Sequence, residues 1–207
     1  MLLKYIQFIK EAESAGMLST DIVDELVEKT PQQIYQTLLD NGKINPNQAM
    51  ILIDGTEQKL YYTRNGETIL KECPVSTGAK GFGQEPDSGK TPLGLLKIGK
   101  KIIAKKYEVL VDKVPTGNIL GPNKPSDRVD DQGKKHLAEI LTGIIELSSL
   151  EPINKTTFGR SIYIHGTNRE PFLGQPKSGG CIRVGNDNLL WLAKNIPPTT
   201  KVMIYTS

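Results

Sequence analysis

From Met50 to the end of the chain the apolar residues come in short runs closed by glycine, proline, asparagine or aspartate, and that punctuation admits many strands and few helices. Ile51 and Ile53 precede Asp54-Gly55, and Lys59-Leu60-Tyr61-Tyr62-Thr63 comes after it. Arg64-Asn65-Gly66-Glu67 is then a hairpin signal ahead of Thr68-Ile69-Leu70, because Asn-Gly takes the positive backbone angles of a tight turn, so a β meander is expected here. Further turns fall at Ser76-Thr77-Gly78, Gly81-Phe82-Gly83 and Thr91-Pro92-Leu93-Gly94, and further apolar runs at Leu95–Ile98, Gly143–Leu147, Ser161–Ile164 and Lys201–Tyr205. The expected fold class is mainly β, a largely antiparallel sandwich. One helix is expected after Gly185, where Leu189, Leu190, Leu192 and Ala193 have helical spacing and Asp187 is placed to cap the first turn. Residues 112–136, rich in Pro, Gly, Asn, Asp and Lys, are expected to form a long excursion with little regular structure.

Residues 1–48 follow a different period. Leu2, Ile6 and Ile9 share one face of a helix that Gly16 can stop, and a second helix starting at Thr20 or Asp21 carries Ile22, Val23, Leu26 and Val27. Thr30-Pro31-Gln32-Gln33 reads as a capping box with proline at the first helical position, and Asn41-Gly42 ends this third helix. The chain therefore divides into an N-terminal helical extension, 1–48, and a β domain, 49–207. Short helices need packing to persist, so the extension is expected to dock on the β domain or on a partner.

The charge balance excludes some functions. The formal net charge is +3, and since residues 1–48 hold four Lys against seven Asp or Glu, the remainder carries +6. That suits an acidic ligand but is too small to argue for nucleic acid. Lys100, Lys101, Lys105 and Lys106 are expected to lie on a solvated strand edge or loop. Two cysteines make no disulfide framework, and with two histidines they lack the spacing of a zinc site, so no metal and no cofactor is expected. Ser88-Gly89-Lys90-Thr91 has the tail of a phosphate-binding loop, but Gln84 stands where its first glycine belongs. Lys4, Gln7 and Lys10 interrupt the apolar residues of the N-terminus, which reads as neither a secretory leader nor a membrane span. The expected location is cytoplasmic, or periplasmic if a leader was removed or export follows another route.

The chemistry concentrates in one segment. Cys181 lies in Ser178-Gly179-Gly180-Cys181-Ile182-Arg183, sixteen residues after His165 in Ile162-Tyr163-Ile164-His165-Gly166-Thr167. A thiol nucleophile needs a base to take its proton and backbone N–H groups to hold the oxyanion formed on a carbonyl. His165, delivered at the end of a strand, is the candidate base, and Gly180 and Cys181 are the candidate oxyanion donors, with Ser178 bracing the turn. Each residue also has a plainer reading: Cys181 as a small buried hydrophobe, His165 as a hydrogen-bonded structural histidine, Arg183 as half of a salt bridge, Tyr163 as a sheet-core ring. Cys73, between Glu72 and Pro74, reads as structural. His136 lies in the polar excursion and is a weaker substrate contact.

From about Met50 to Tyr205 these features resemble the YkuD-type L,D-transpeptidases, whose signature is a histidine, a spacer, then Ser/Thr-x-Gly-Cys, a hydrophobic residue and Arg or Asn. Leu60-Tyr61-Tyr62, Pro74-Val75-Ser76-Thr77-Gly78 and Lys90-Thr91-Pro92-Leu93-Gly94 match the same family in the same order. Gly179 departs from it, standing where many members carry histidine. The resemblance implies a β sandwich with a helix after the nucleophile and a cysteine acyltransferase acting on peptidoglycan stem tetrapeptides. In it Cys181 would be acylated with loss of D-alanine, and His165 would be the base, its tautomer set by the main-chain carbonyl of Gly166. Arg183, Ser178, Gly179 and Tyr163 would meet the substrate. It also implies acylation by β-lactams of the carbapenem kind. Ile144 to Pro152 and Tyr163 to Asn168 further resemble a subgroup with signal-less L,D-carboxypeptidase members, which pass the acyl group to water. A non-catalytic stem-peptide-binding module is the remaining alternative.

Overall fold

The computed structural model describes residues 30–119 and 140–207. The two helices read within residues 1–29, and His136, lie outside them. In chain order the elements are helix α1 (Pro31–Asp40), strands β1 (Met50–Asp54), β2 (Lys59–Arg64), β3 (Thr68–Ser76), β4 (Gly94–Ile103), β5 (Glu108–Val111), β6 (Val114–Ile119), β7 (Ile140–Ser149), β8 (Tyr163–Thr167) and β9 (Ile182–Val184), helix α2 (Asn186–Asn195) and strand β10 (Lys201–Tyr205). The mainly β class read from the turn spacing is the class observed.

The strands join in the order β4-β10-β1-β2-β3-β9-β8-β7-β5-β6, and β4 also pairs with β7, so the sheet closes back on itself around one core. Most neighbours are antiparallel; β1 with β10 and β8 with β9 are parallel. Alternation along the strands sorts the side chains. Ile51 and Ile53 of β1, Val202 and Ile204 of β10, Ile164 of β8 and Ile182 and Val184 of β9 turn inward, where they meet Leu189, Leu192 and Ile196 in and just after α2. The other face of β1 and β10, Met50, Leu52, Met203 and Tyr205, packs with Ile34, Tyr35 and Leu38 of α1. Cover on both faces explains why β1 reads as an unbroken apolar run rather than an alternating one. Ten residues are too few for a helix to persist alone, so α1 depends on that packing, each buried Ile or Leu contributing roughly 1.5–3 kcal/mol. Its start is the expected capping box, with Thr30 Oγ1 accepting from Gln33 N and Gln33 Oε1 from Thr30 N.

Two local expectations are corrected, and a third in part. Residues 108–119 form a β5–β6 hairpin, so the excursion opens with regular structure. Lys113 of its turn donates to Glu146 Oε1 at 2.7 Å and sits 4.9 Å from the centroid of the Tyr163 ring, which anchors the hairpin over β7 and β8. Lys100 on β4 and Lys105 and Lys106 in the loop after it are exposed, as expected for the lysine cluster, but Lys101 is half-buried and its Nζ caps the end of α2 through the carbonyls of Ala193 and Ile196. Asp187 does not cap α2. The helix opens at Gly185 and Asn186, whose N–H donates to Glu170 Oε1 at 2.7 Å, while Asp187 pairs with Lys106. A carboxylate from another loop satisfies the helix N-terminus in place of its own side chain. Among the described residues no helix is long and apolar enough to cross a membrane.

Candidate active site

The outer face of β8 and β9 collects the polar side chains that the inner face cannot hold. In the parallel pair Ile164 lies opposite Ile182 and His165 opposite Arg183. With Ile164, Ile182 and Val184 facing the core, alternation places Tyr163, His165 and Arg183 on the opposite face, and Cys181, one residue before Ile182, joins them. Four of the residues selected from the sequence thus share one surface.

His165 is 5% exposed, and its Nδ1 lies 2.7 Å from the carbonyl oxygen of Gly166. A carbonyl can only accept, so Nδ1 carries the proton and Nε2 is left as a lone-pair acceptor. Burial lowers the His165 pKa to about 4, outweighing the Gly166 carbonyl, which raises it, and Arg183 lowers it further. The ring is therefore neutral at neutral pH. Gly166 has to be glycine: a Cβ there would stand 2.4 Å from Asn186 Oδ1 and 2.6 Å from the Leu141 carbonyl. Asn186, buried, is itself held by Thr142 Oγ1 at 2.7 Å and by the Thr167 carbonyl at 2.8 Å. The packing that fixes Asn186 thereby fixes the acceptor that sets the histidine tautomer.

Cys181 is half-buried, packed against the cluster of Ala104, Leu110, Ile144 and Tyr163, with Sγ 3.4 Å from the Ser161 carbonyl. Burial pushes its thiol pKa up, opposed by the Tyr163 N–H and by the guanidinium groups of Arg183 and Arg160. The raised pKa favours the thiol over the thiolate, so attack from this sulfur would need a base. Arg183, 7% exposed, donates from Nη1 to the Lys177 carbonyl at 2.8 Å, and its buried Nε has no acceptor among the described residues. No described carboxylate pairs with Arg183, contrary to the salt-bridge alternative.

The turn before Cys181 is held from inside. Ser178 Oγ accepts from Gly180 N at 3.0 Å and donates to the Cys181 carbonyl at 2.5 Å, so Ser178 braces the turn, as read from the sequence, and its proton is committed there rather than to a ligand. This also engages the Gly180 N–H, one of the two expected oxyanion donors. The Cys181 N–H takes no acceptor among the described residues. Gly180 adopts a φ of +121°, a backbone angle open to glycine, and a Cβ on it would press within 3.0 Å of the Lys90 carbonyl. Gly179 has open space around it.

Sequence reasoning passed over Arg160 and Thr91. Arg160 Nη1 donates to the Gly83 carbonyl at 2.9 Å and Nη2 to Ser88 Oγ and the Lys90 carbonyl, which staples the 83–90 loop beside Cys181. An arginine 70 to 77 residues from the loop it joins leaves no local signal, whereas Thr91 stands inside a motif that by itself gives it no role.

Residues 48–204 match the family model described as the YkuD L,D-transpeptidase catalytic domain. The chain is 28% identical over 169 residues to the probable L,D-transpeptidase YcfS of Escherichia coli, which covers 82% of this chain and 46% of that protein. It is 50% identical over 50 residues to the putative L,D-transpeptidase YqjB of Bacillus subtilis, 24% of this chain and 28% of that one. The chain spans less than half the length of these relatives. Among solved structures, L,D-transpeptidase 3 from Mycobacterium tuberculosis in complex with a faropenem-derived adduct aligns with a TM-score of 0.45 at 15% identity, over 76% of this chain and 60% of that one. Since the family model takes in the whole of the β domain from β1 to β9 and nearly all of β10, this chain belongs to the L,D-transpeptidase catalytic domain family.

Proposed function

We propose that the protein is a cysteine acyltransferase acting on peptidoglycan stem tetrapeptides, with Cys181 as nucleophile and His165 as general base. The observation that carries this reading is the His165 ring, neutral, with Nδ1 bound to the Gly166 carbonyl and Nε2 free to accept, on the same face as a thiol that burial keeps protonated. A thiol and an imidazole so matched do not form a resting ion pair. Proton transfer accompanies attack: Nε2 takes the Cys181 proton as sulfur bonds to the carbonyl carbon of the L-centre of the diamino acid. The oxyanion is held by the main-chain N–H of Cys181, which stands without a protein acceptor, and by that of Gly180 once it leaves Ser178 Oγ. Collapse of the tetrahedral species expels D-alanine, whose amine takes the proton back from His165, and leaves a thioester on Cys181. An amine of a second stem, or water, then resolves it.

The uncompensated, buried Arg183 suits the free carboxylates that such a stem carries, through charge-assisted hydrogen bonds. Acylation of Cys181 by a β-lactam of the carbapenem kind is proposed on the same chemistry, a strained carbonyl presented to the same thiol. The test is mass spectrometry of disaccharide tetrapeptide incubated with wild type and with Cys181→Ala. A cross-linked dimer that the variant does not make establishes transpeptidation; tripeptide alone establishes a carboxypeptidase. An absence of both, with the peptide bound, favours the binding module.

A further inference from the structure

We infer that Thr91 is a positioning residue for the oxyanion site, aiming the Cys181 N–H by holding the carbonyl of the same peptide bond. Thr91 is fully buried, 0% exposed, and its hydroxyl is clasped on both sides. Oγ1 accepts from the Gly78 N–H at 2.8 Å and donates to the Gly180 carbonyl at 2.8 Å. That carbonyl and the Cys181 N–H belong to one peptide unit. Among the described residues there is no cis peptide, and in a trans unit the C=O and the following N–H point in opposite directions. Pulling the Gly180 oxygen inward to Thr91 therefore turns the Cys181 N–H outward, where it meets no protein acceptor. Gly180 has the conformational freedom to let that peptide rotate, so something outside the turn has to choose its orientation.

The hydroxyl is itself well placed to do so. The Thr91 main chain is bound to the Gly81–Gly83 turn through Thr91 N to the Gly81 carbonyl at 3.0 Å and Gly83 N to the Thr91 carbonyl at 2.9 Å. Arg160 holds the carbonyls of Gly83 and Lys90 on either side. Only a side chain that is donor and acceptor at once can join Gly78 to Gly180 from this position. The Lys-Thr-Pro-Leu-Gly segment is thus joined to the nucleophile by one hydroxyl. An N–H already turned outward reaches a developing oxyanion without reorganising, which is the condition for strong electrostatic stabilisation.

This inference rests on the reading of Cys181 as an acyl-accepting nucleophile, and its test separates the two without requiring the natural substrate. Cys181 is challenged with p-nitrophenyl acetate, which forms a thioester through an oxyanion and releases nitrophenolate, and with iodoacetamide, which transfers its alkyl group by displacing iodide and forms no oxyanion. Thr91→Val keeps the volume and removes both hydrogen bonds; Thr91→Ser keeps the hydroxyl. In Thr91→Val, acetylation is expected to slow by about 10- to 100-fold, somewhat less than the loss seen when an oxyanion donor is deleted. Alkylation should stay within about twofold, and Thr91→Ser should restore most of the acetylation rate. Equal slowing of both reactions in Thr91→Val, or of neither, overturns the inference, as does a Thr91→Ser protein, folded by circular dichroism, that is as slow as Thr91→Val. If Thr91→Val does not fold, Thr91→Ser against Thr91→Ala supplies the same comparison. Wild-type protein acetylated no faster than Cys181→Ala would instead sink the nucleophile reading itself.

Discussion

Burial raises the pKa of both cysteines of this chain, yet they are different chemical groups. Cys73, 4% exposed on β3 opposite Leu60, lies in the apolar core with Val75 and Tyr62, and burial lifts its pKa to about 11. Burial also lifts Cys181, but there the Tyr163 N–H, Arg183 and Arg160 oppose the shift, and a neutral imidazole stands on the same face. Burial alone makes a thiol inert; what makes one usable is a set of polar groups that favour sulfur's negative charge at the moment of attack.

The largest break in this comparison should come from the thiols themselves. Cys181→Ala should lower acyl transfer by about 10⁴-fold or more, in line with the loss of a nucleophile from a cooperating pair. A folded Cys181→Ala protein that retains a tenth of the wild-type turnover would transfer the nucleophile's role elsewhere.

His165 sharpens the difference through pH. His165→Gln should slow acylation by about 10²- to 10⁴-fold, and the wild-type rate should hold from neutral pH down towards pH 4, where the ring gains its proton. Stability should change in the same window. The folded pKa of about 4 lies below the ordinary 6.5, so between these values the unfolded chain binds a proton that the folded one refuses. Stability from this group is complete above pH 6.5 and is lost as pH falls, by up to about 3 kcal/mol at pH 4. Urea melts at pH 7 and 4.5 check the sign: wild type should lose more stability than His165→Gln, and equal losses would remove the buried neutral ring from the explanation.

The site was legible to the degree that it is local. His165, Tyr163 and Arg183 could be chosen because a five-residue and a three-residue strand carry them, with Cys181 immediately ahead of the second, and alternation alone places them on one side. The meander, α1 with its capping box and the helix after Gly185 were read on the same local grounds. What escaped reading is what depends on distant contacts. Thr91 meets Gly180 across 89 residues of sequence, and Arg160 meets Lys90 across 70. Glu170 took the capping role assigned to Asp187, because a carboxylate folded in from the loop after β8 reaches the Asn186 N–H. The β5–β6 hairpin lay hidden in a stretch of turn-forming composition, where its anchor is Lys113 on Glu146, a pair no periodicity reveals.

Arg183 should matter less than the proposed reacting pair: it is one of three groups that favour charge on the sulfur, and the carboxylate it is proposed to hold keeps its charge throughout. Arg183→Gln is expected to raise KM for a carboxylate-bearing stem peptide by about tenfold, the value of one charge-assisted hydrogen bond, with a smaller change in kcat. Steady-state kinetics with a C-terminally amidated peptide beside the free acid decide the point. If the variant loses the same factor on both, Arg183 serves the fold of the turn through Lys177 rather than the ligand.

The smallest effect on chemistry, and the sharpest statement of the contrast, belongs to Cys73. Cys73→Ala deletes a sulfur from a closed apolar core, where Val75, Leu60 and Tyr62 can relax only in part around the space left behind. The cost should be about 1–2 kcal/mol of unfolding free energy, with turnover unchanged within about twofold, since mutations distant from the reacting groups leave transition-state contacts intact. Iodoacetamide applied to native wild type should then add one carboxamidomethyl group, at Cys181, and a second only in denaturant. Labelling of Cys73 in the native protein at a comparable rate would mean that its core opens as readily as the active-site face, and the distinction between a sealed thiol and a served one would fail.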